Sequence, residues 1–187
     1  MKLTQTDTLP TSEDPDEGEL IREAQRDPAA FEPLYDHYVR GLYRYVLSRV
    51  GTSTEAEDVT SQTFLSALEA LPRYHHRGRF AAWLYTIARR KITDHFRRPA
   101  IADSQSDAPD SLPGSIEHVV GLEELDRLRS LVRELSEESQ ELIRLRYTAS
   151  LPFAEIAAVV GKREDSVKKT VYRALARMRS ELEGEDA

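Results

Sequence analysis

Between Asp27 and Arg98 the apolar positions return at intervals of three and four residues, the spacing that places them on one face of a helix. Asp27-Pro28 supplies an N-cap followed by proline at the first helical position. Phe31, Leu34, Tyr35, Tyr38, Leu42 and Val46 then form one stripe that runs until Gly51. A second helix is predicted after Thr52-Ser53, carrying Val59, Leu65, Leu68 and Leu71 and stopped by Pro72. A third runs from about Phe80 to Arg98, turns Phe80, Trp83, Leu84, Ile87, Ala88 and Ile92 inward, and ends at Pro99.

From Pro99 to about Ser115 the pattern lapses, and Pro109, Pro113 and Gly114 stand among Ser and Asp, the composition of a flexible linker. Periodicity resumes at Leu122, Leu125, Leu128 and Val132, after which Ser136 can cap a helix bearing Leu142, Ile143 and Leu145. The opening segment, Met1–Glu19, holds Pro10, Pro15 and Gly18 among Thr, Ser and acids and reads as a disordered tail. No segment alternates convincingly as a strand, and no fixed-period repeat is present. The expected fold is therefore all-α: two small helical domains joined by a flexible acidic linker. Its boundaries fall at 1–19 for the tail, 20–99 for the first bundle, 100–116 for the linker, 117–183 for the second bundle and 184–187 for a short tail.

The second bundle carries the sharpest local motif. Phe153–Val160 is predicted as a short helix with Ile156, Ala157 and Val160 on one face, and Gly161 follows as a turn residue able to take positive φ. From Asp165 a second helix begins, with Val167, Val171, Leu175 and Met178 as its apolar stripe and Ser166, Lys169, Arg173 and Arg177 on the opposite face. That spacing describes a helix-turn-helix whose second helix enters a major groove. A helical hairpin with a merely solvated basic face is the competing reading.

Charge sharpens the picture. The 187 residues carry a net charge of −7, which alone argues against nucleic acid. Its distribution argues otherwise: Met1–Glu19 sums to −5 and Ala100–Glu124 to −6, while Pro72–Arg98 sums to +7 and Lys162–Arg179 to +5. Two basic islands in an acidic background are the electrostatic footprint of a chain that meets polyanions in two places. In the first island, Arg73-Tyr74-His75-His76-Arg77-Gly78-Arg79-Phe80 interleaves cations with rings, and Trp83, Tyr85, Arg89, Arg90 and Lys91 follow on the helix. Cations neutralise phosphates and exposed rings stack on unpaired bases. Phe80 and Trp83 are equally good core residues. One island suits single strands and the other suits duplex.

Several classes of function fall away. The chain has no cysteine, so disulfides, thiolate metal sites and cysteine nucleophiles are excluded together. No Gly-x-Ser-x-Gly, phosphate loop or His-Glu-x-x-His motif is present, and no enzyme is expected. Of the histidines only His75 and His76 are adjacent, a poor basis for a metal site, so neither metal nor cofactor is expected. No stretch reaches the ~18 uncharged apolar residues of a membrane span, and the N-terminus lacks the apolar core of a signal peptide. A soluble, cytoplasmic protein without membrane insertion is the expectation.

Ala56-Glu57-Asp58-Val59-Thr60-Ser61-Gln62-Thr63-Phe64-Leu65, Phe80-Ala81-Ala82-Trp83-Leu84-Tyr85-Thr86-Ile87-Ala88-Arg89 and Asp94-His95-Phe96-Arg97-Arg98 resemble region two of bacterial extracytoplasmic-function (ECF) sigma factors of the sigma-70 family. Leu135–Leu145 and Leu151–Leu182 resemble region four of the same family. The resemblance covers about Ala24–Pro99 and Leu122–Leu182, two blocks in the family's order and spacing. It implies a promoter-recognition subunit whose partners are core RNA polymerase (the β′ clamp helices and the β subunit), promoter DNA and an anti-sigma factor.

Residue by residue, the resemblance implies that Asp58, Gln62, Phe64 and Leu65 dock on the clamp helices of the β′ subunit. It makes Arg73, Tyr74, His75, His76, Arg77 and Arg79 a loop that captures a flipped base of the minus-ten element. It implies that Trp83, Thr86, Arg89, Arg90, Arg97 and Arg98 follow the adjacent duplex and phosphates along one helix. It makes Arg163, Ser166, Lys168, Lys169, Tyr172 and Arg173 the surface that reads the minus-thirty-five element. The acidic linker resembles the segment that threads the polymerase channel near the RNA exit path. Two departures stand out: Ser61-Gln62 replaces the family's frequent Gln-Glu, and Asp165 stands where a small residue is frequent. Asp165 favours the helix N-terminus while discouraging phosphate on that side.

A helix-turn-helix repressor or response regulator is the principal alternative. It would bind operator duplex without polymerase and would need an effector or receiver domain, of which Phe31–Arg98 shows neither the strands nor a phospho-acceptor pattern.

Overall fold

A computed structural model of the chain describes residues 17–76, 78–97 and 122–184, and all regular structure among them is helical. The sequence expectations for the tail before Glu17, for the linker and for residues 185–187 lie outside the described residues.

The first element is one the hydrophobic pattern does not announce. Helix α1 (Glu17–Arg26) begins inside the segment expected to be a disordered tail. Leu20, Ile21 and Ala24 explain it, since Ile21 and Ala24 are buried and Leu20 packs against the same core. So few apolar positions cannot signal a helix alone, but they suffice where a core receives them. A 3-10 turn (Pro28–Phe31) follows, capped by Asp27, whose carboxylate accepts from Ala29 N at 3.0 Å. It leads into α2 (Glu32–Val50). Helix α3 (Ser53–Ala70) starts at Thr52, whose Oγ1 accepts from Glu55 N at 3.3 Å and donates to the Glu55 carboxylate at 2.8 Å. Helix α4 spans Phe80–Arg97.

In the C-terminal half, α5 (Leu122–Arg133) precedes α6 (Glu137–Ile143). Ser136 caps α6 as the sequence predicts, accepting from Ser139 N. The chain then passes through a π-helical turn (Arg144–Thr148) into α7 (Phe153–Val160) and α8 (Glu164–Gly184). Gly161 ends α7 in the left-handed region (φ 68°), as the turn requires.

The two helical units do not stand apart. Leu142, Leu145, Ile156, Val167 and Val171 of the second join Tyr45, Leu84, Ala88 and Ile92 of the first in one continuous buried cluster. Helix α7 packs on α4, and the π-helical turn packs on α2. Small residues permit this approach: a Cβ at Gly41 would lie 3.1 Å from the Tyr85 hydroxyl and 3.9 Å from the Ala149 carbonyl oxygen. Leu128, Leu131 and Val132 of α5 close a satellite cluster with Leu135, Ile143, Ala174 and Met178. Full burial of a side chain such as Leu84 or Ile156 stabilises by about 1.5–3 kcal/mol, so the shared core holds the units against each other.

Candidate nucleic-acid interface

Helices α7 and α8 form the helix-turn-helix that the spacing predicts. Val167 and Val171 are fully buried, Ala174 and Met178 nearly so. The opposite face of α8 presents Ser166, Lys169, Tyr172 and Arg173 to solvent, with Arg163 exposed just before it. Tyr172 is 58% exposed and meets the Phe153 ring at 5.8 Å between centroids. The Arg146 guanidinium lies over the same Phe153 ring at 4.6 Å, and the Lys168 ammonium at 5.9 Å. Lys168 is also paired with Glu164 at 2.6 Å, a hydrogen bond that raises its pKa. Of the predicted duplex-reading residues, Lys168 is therefore already engaged within its own helix.

The loop between α3 and α4 is anchored at one end and exposed at the other. Leu71–Arg73 forms a 3-10 turn, and Tyr74 N donates to the Leu71 carbonyl at 2.9 Å. The half-buried Tyr74 ring lies 4.5 Å from the Trp83 ring at an interplanar angle of 35°, and both rings contact Phe80. Phe80 is buried, as its core reading requires, while Trp83 is half-buried at the edge of the same cluster. Arg73, His75, His76 and Arg79 are exposed around it. Arg77 lies outside the described residues, as does Arg98. Gly78 takes a positive φ of 66° in this loop.

On α4 the cations divide. Arg90 and Arg97 are exposed, but Thr86 is half-buried and donates to the Ala82 carbonyl. Arg89, expected to follow the adjacent duplex and phosphates, instead turns toward the second unit. Its guanidinium donates to the Val159 carbonyl at 2.9 Å and pairs with Glu141 at 3.0 Å. The cause is the docking of α7 on α4, with Glu141 reaching across from α6, which no local pattern encodes. Glu141 also pairs with Arg49 at 2.9 Å and accepts from the Tyr45 hydroxyl at 2.7 Å. Burial, and then the Glu141 charge, push the Tyr45 phenol well above its ordinary pKa. Sequence reasoning singles out none of Glu141, Arg49 or Tyr45 for this network. A glutamate among the apolar positions of α6, beside Leu142, is the one signal that points to it.

On α3, Asp58, Gln62 and Leu65 share one face, with Gln62 Nε2 donating to Asp58 at 2.7 Å and Leu65 61% exposed. Phe64 does not join them. It is 5% exposed and faces Phe31 and Tyr35, at 6.3 and 4.7 Å between ring centroids. It shapes the surface from beneath.

Comparison with known proteins gives two family matches, to Sigma-70 region 2 over residues 34–100 and to Sigma-70, region 4 over residues 125–178. The ECF RNA polymerase sigma factor BldN of Streptomyces coelicolor is 41% identical over 165 residues, which cover 84% of this chain and 62% of BldN. The chain thus spans under two thirds of that relative. The ECF RNA polymerase sigma factor SigD of Mycobacterium tuberculosis is 32% identical over 153 residues, covering 75% of this chain and 71% of SigD. Among solved structures, CnrH in complex with the cytosolic domain of CnrY aligns with a TM-score of 0.66 at 26% identity, covering 89% of this chain and 96% of CnrH.

Proposed function

Because the chain belongs to the ECF group of the sigma-70 family, we propose that it serves as the promoter-reading subunit of RNA polymerase. It directs the core enzyme to specific promoters and helps open the minus-ten element. Sigma factors are initiation factors rather than known enzymes, and we assign this one no catalysis of its own. Residues 20–99 form the unit that binds core polymerase and the minus-ten element, 117–183 the unit that binds the minus-thirty-five element, and 100–116 the connection between them. Among the described residues no helix is long and apolar enough to cross a membrane, and the proposed place of work is the cytoplasm, with the polymerase.

The observation that carries this reading is the pairing of two cationic faces of different character on one chain. Arg163, Ser166, Lys169, Tyr172 and Arg173 crown a helix-turn-helix suited to duplex, with Lys168 beside them. Arg73, His75, His76 and Arg79 surround the Tyr74–Trp83 stack, suited to an extruded base, and Arg77 belongs to the same loop by sequence. Arg90 and Arg97 continue that charge along α4, with Thr86, Arg89 and Arg98 in the same segment. The face of Asp58, Gln62 and Leu65, supported by Phe64, is assigned to the β′ clamp helices, with a further contact to the β subunit.

Regulation is assigned to a partner protein of the anti-sigma kind, in line with the relative CnrH, which is bound by the cytosolic domain of CnrY. A partner entering between the units would have to part α7 from α4.

The test is competition for core polymerase combined with promoter binding. The protein displaces a labelled sigma factor from core at micromolar concentration and binds promoter DNA specifically only with core present. Specific operator binding by the free chain, without competition for core, would favour a repressor instead.

A further inference from the structure

Three donors from the first unit converge on one carboxylate of the second. Arg49 of α2 and Arg89 of α4 approach Glu141 of α6 at 2.9 and 3.0 Å, and the Tyr45 hydroxyl reaches it at 2.7 Å. Glu141 is 7% exposed, and Arg49 and Tyr45 hold it from 92 and 96 positions away in the chain. Two guanidinium groups and a phenol around a pair of anionic oxygens are also the donor set that the two non-bridging oxygens of a phosphodiester require. The cradle continues into a polar groove of about 490 Å³ lined by Arg49, Arg89, Arg90 and Arg97, with Asp94 as the one acid among its lining residues. A cationic groove ending in a closed anion cradle is built for a longer anion than one carboxylate.

We propose that Tyr45, Arg49 and Arg89 form a binding site for a backbone phosphate of promoter DNA, and that Glu141 occupies this site as an internal phosphate mimic. The proposal rests on the reading of α4 as a DNA-tracking helix and extends it to α2. Opening the units without a ligand would take the carboxylate away from both guanidinium groups, whereas exchanging carboxylate for phosphate keeps them paired. Arg89 also donates to the Val159 carbonyl of α7 at 2.9 Å, so the exchange and the release of the second unit are one event. The closed chain and the DNA-bound chain are then mutually exclusive. If only about a tenth of the molecules are open, apparent DNA affinity falls about tenfold.

The absence of native cysteine makes the test direct. Glu69→Cys on α3 and Ser180→Cys on α8, both exposed, carry a donor–acceptor dye pair in the full-length chain. The ligand is a forked DNA of arbitrary sequence, duplex joined to a single-stranded tail, met through its phosphates without promoter specificity. Addition of the fork should lower energy transfer in the parent protein. Glu141→Gln should start with lower transfer and bind the fork about tenfold more tightly. In that background, Arg49→Ala should weaken binding and reduce the slope of log affinity against log salt by about one, the signature of a single phosphate no longer neutralised. A Glu141→Gln protein that opens without gaining affinity overturns the proposal, and so does one that stays closed. An unchanged salt slope on Arg49→Ala likewise overturns it. Should Glu141→Gln fail to fold by circular dichroism, Glu141→Asp takes its place, with a smaller gain of the same sign required. The free chain is tested throughout, so failure here is separable from failure to bind core polymerase, which would refute the functional reading alone.

Discussion

The side-chain amide of Gln25 donates to the carbonyl of Tyr74 at 2.7 Å, joining residues 49 positions apart in the chain. The same nitrogen donates to the Leu71 carbonyl at 3.0 Å. Helix α1 thereby fastens the start of the loop assigned to the minus-ten element, and the Tyr74 ring is held against Trp83 from behind.

Gln25→Ala should accordingly act on the loop more than on the fold. Removing these two hydrogen bonds should cost about 1–3 kcal/mol. Urea denaturation measures that cost. Permanganate reactivity of thymines in the polymerase complex should drop, while binding to the upstream duplex element stays unchanged.

Neighbours on α3 should behave oppositely. Leu65→Asp alters a side chain that is 61% exposed and should change stability by no more than about 0.5 kcal/mol, yet abolish competition for core polymerase. Phe64→Ala empties a buried aromatic site and should destabilise by about 3–5 kcal/mol. Thermal melting beside a core-binding assay separates the two.

In α8, Lys169→Ala combined with Arg173→Ala should weaken recognition of the upstream element by about 1–3 kcal/mol for each base no longer read. Where either side chain neutralises a phosphate, the salt dependence should flatten as well. A template already mismatched across the minus-ten region should not restore this variant. It should partly restore one carrying Tyr74→Ala and Arg79→Ala, because the cost of opening the duplex is removed. Equal defects in both assays for both variants would leave only a generic basic surface.

Alkaline pH should unfold the chain cooperatively. Burial, and then Glu17 for Tyr38, Glu141 for Tyr45 and Glu155 for Tyr85, raise these three phenols above their ordinary value, with Arg44 partly opposing the shift at Tyr85. The folded state therefore keeps protons that the unfolded state releases above about pH 10. Stability is intact below that pH and falls as pH rises through it, by about 1.4 kcal/mol per pH unit for each such tyrosine. Urea midpoints between about pH 9 and 11 measure the slope, and Tyr85→Phe should reduce it by one tyrosine's share.

Local patterns suffice where a single helix face decides the outcome. The caps at Asp27, Thr52 and Ser136, the turn at Gly161 and the buried stripe of α8 all follow from neighbours a few residues apart. Helix α1 escapes such a reading because Ile21 and Ala24 are apolar residues in an acidic segment, and only the core beneath them makes the helix stable. The site divides in the same way. The outward Lys169 and Arg173 are legible from helical spacing, whereas Arg89 looks outward in the sequence only because its partners, Glu141 and the Val159 carbonyl, lie in the other unit. Phe64 sits on a motif but faces the core, since two aromatic rings from the preceding turn and helix lie against it.

Run-off transcription with purified core polymerase, on the DNA upstream of the protein's own coding sequence and on an unrelated control fragment, tests the central claim most directly. A promoter-reading subunit yields a discrete transcript from one start site, dependent on both core and this protein and reduced by Lys169→Ala/Arg173→Ala. No transcript from any upstream fragment, together with specific duplex binding by the protein alone, would contradict the account.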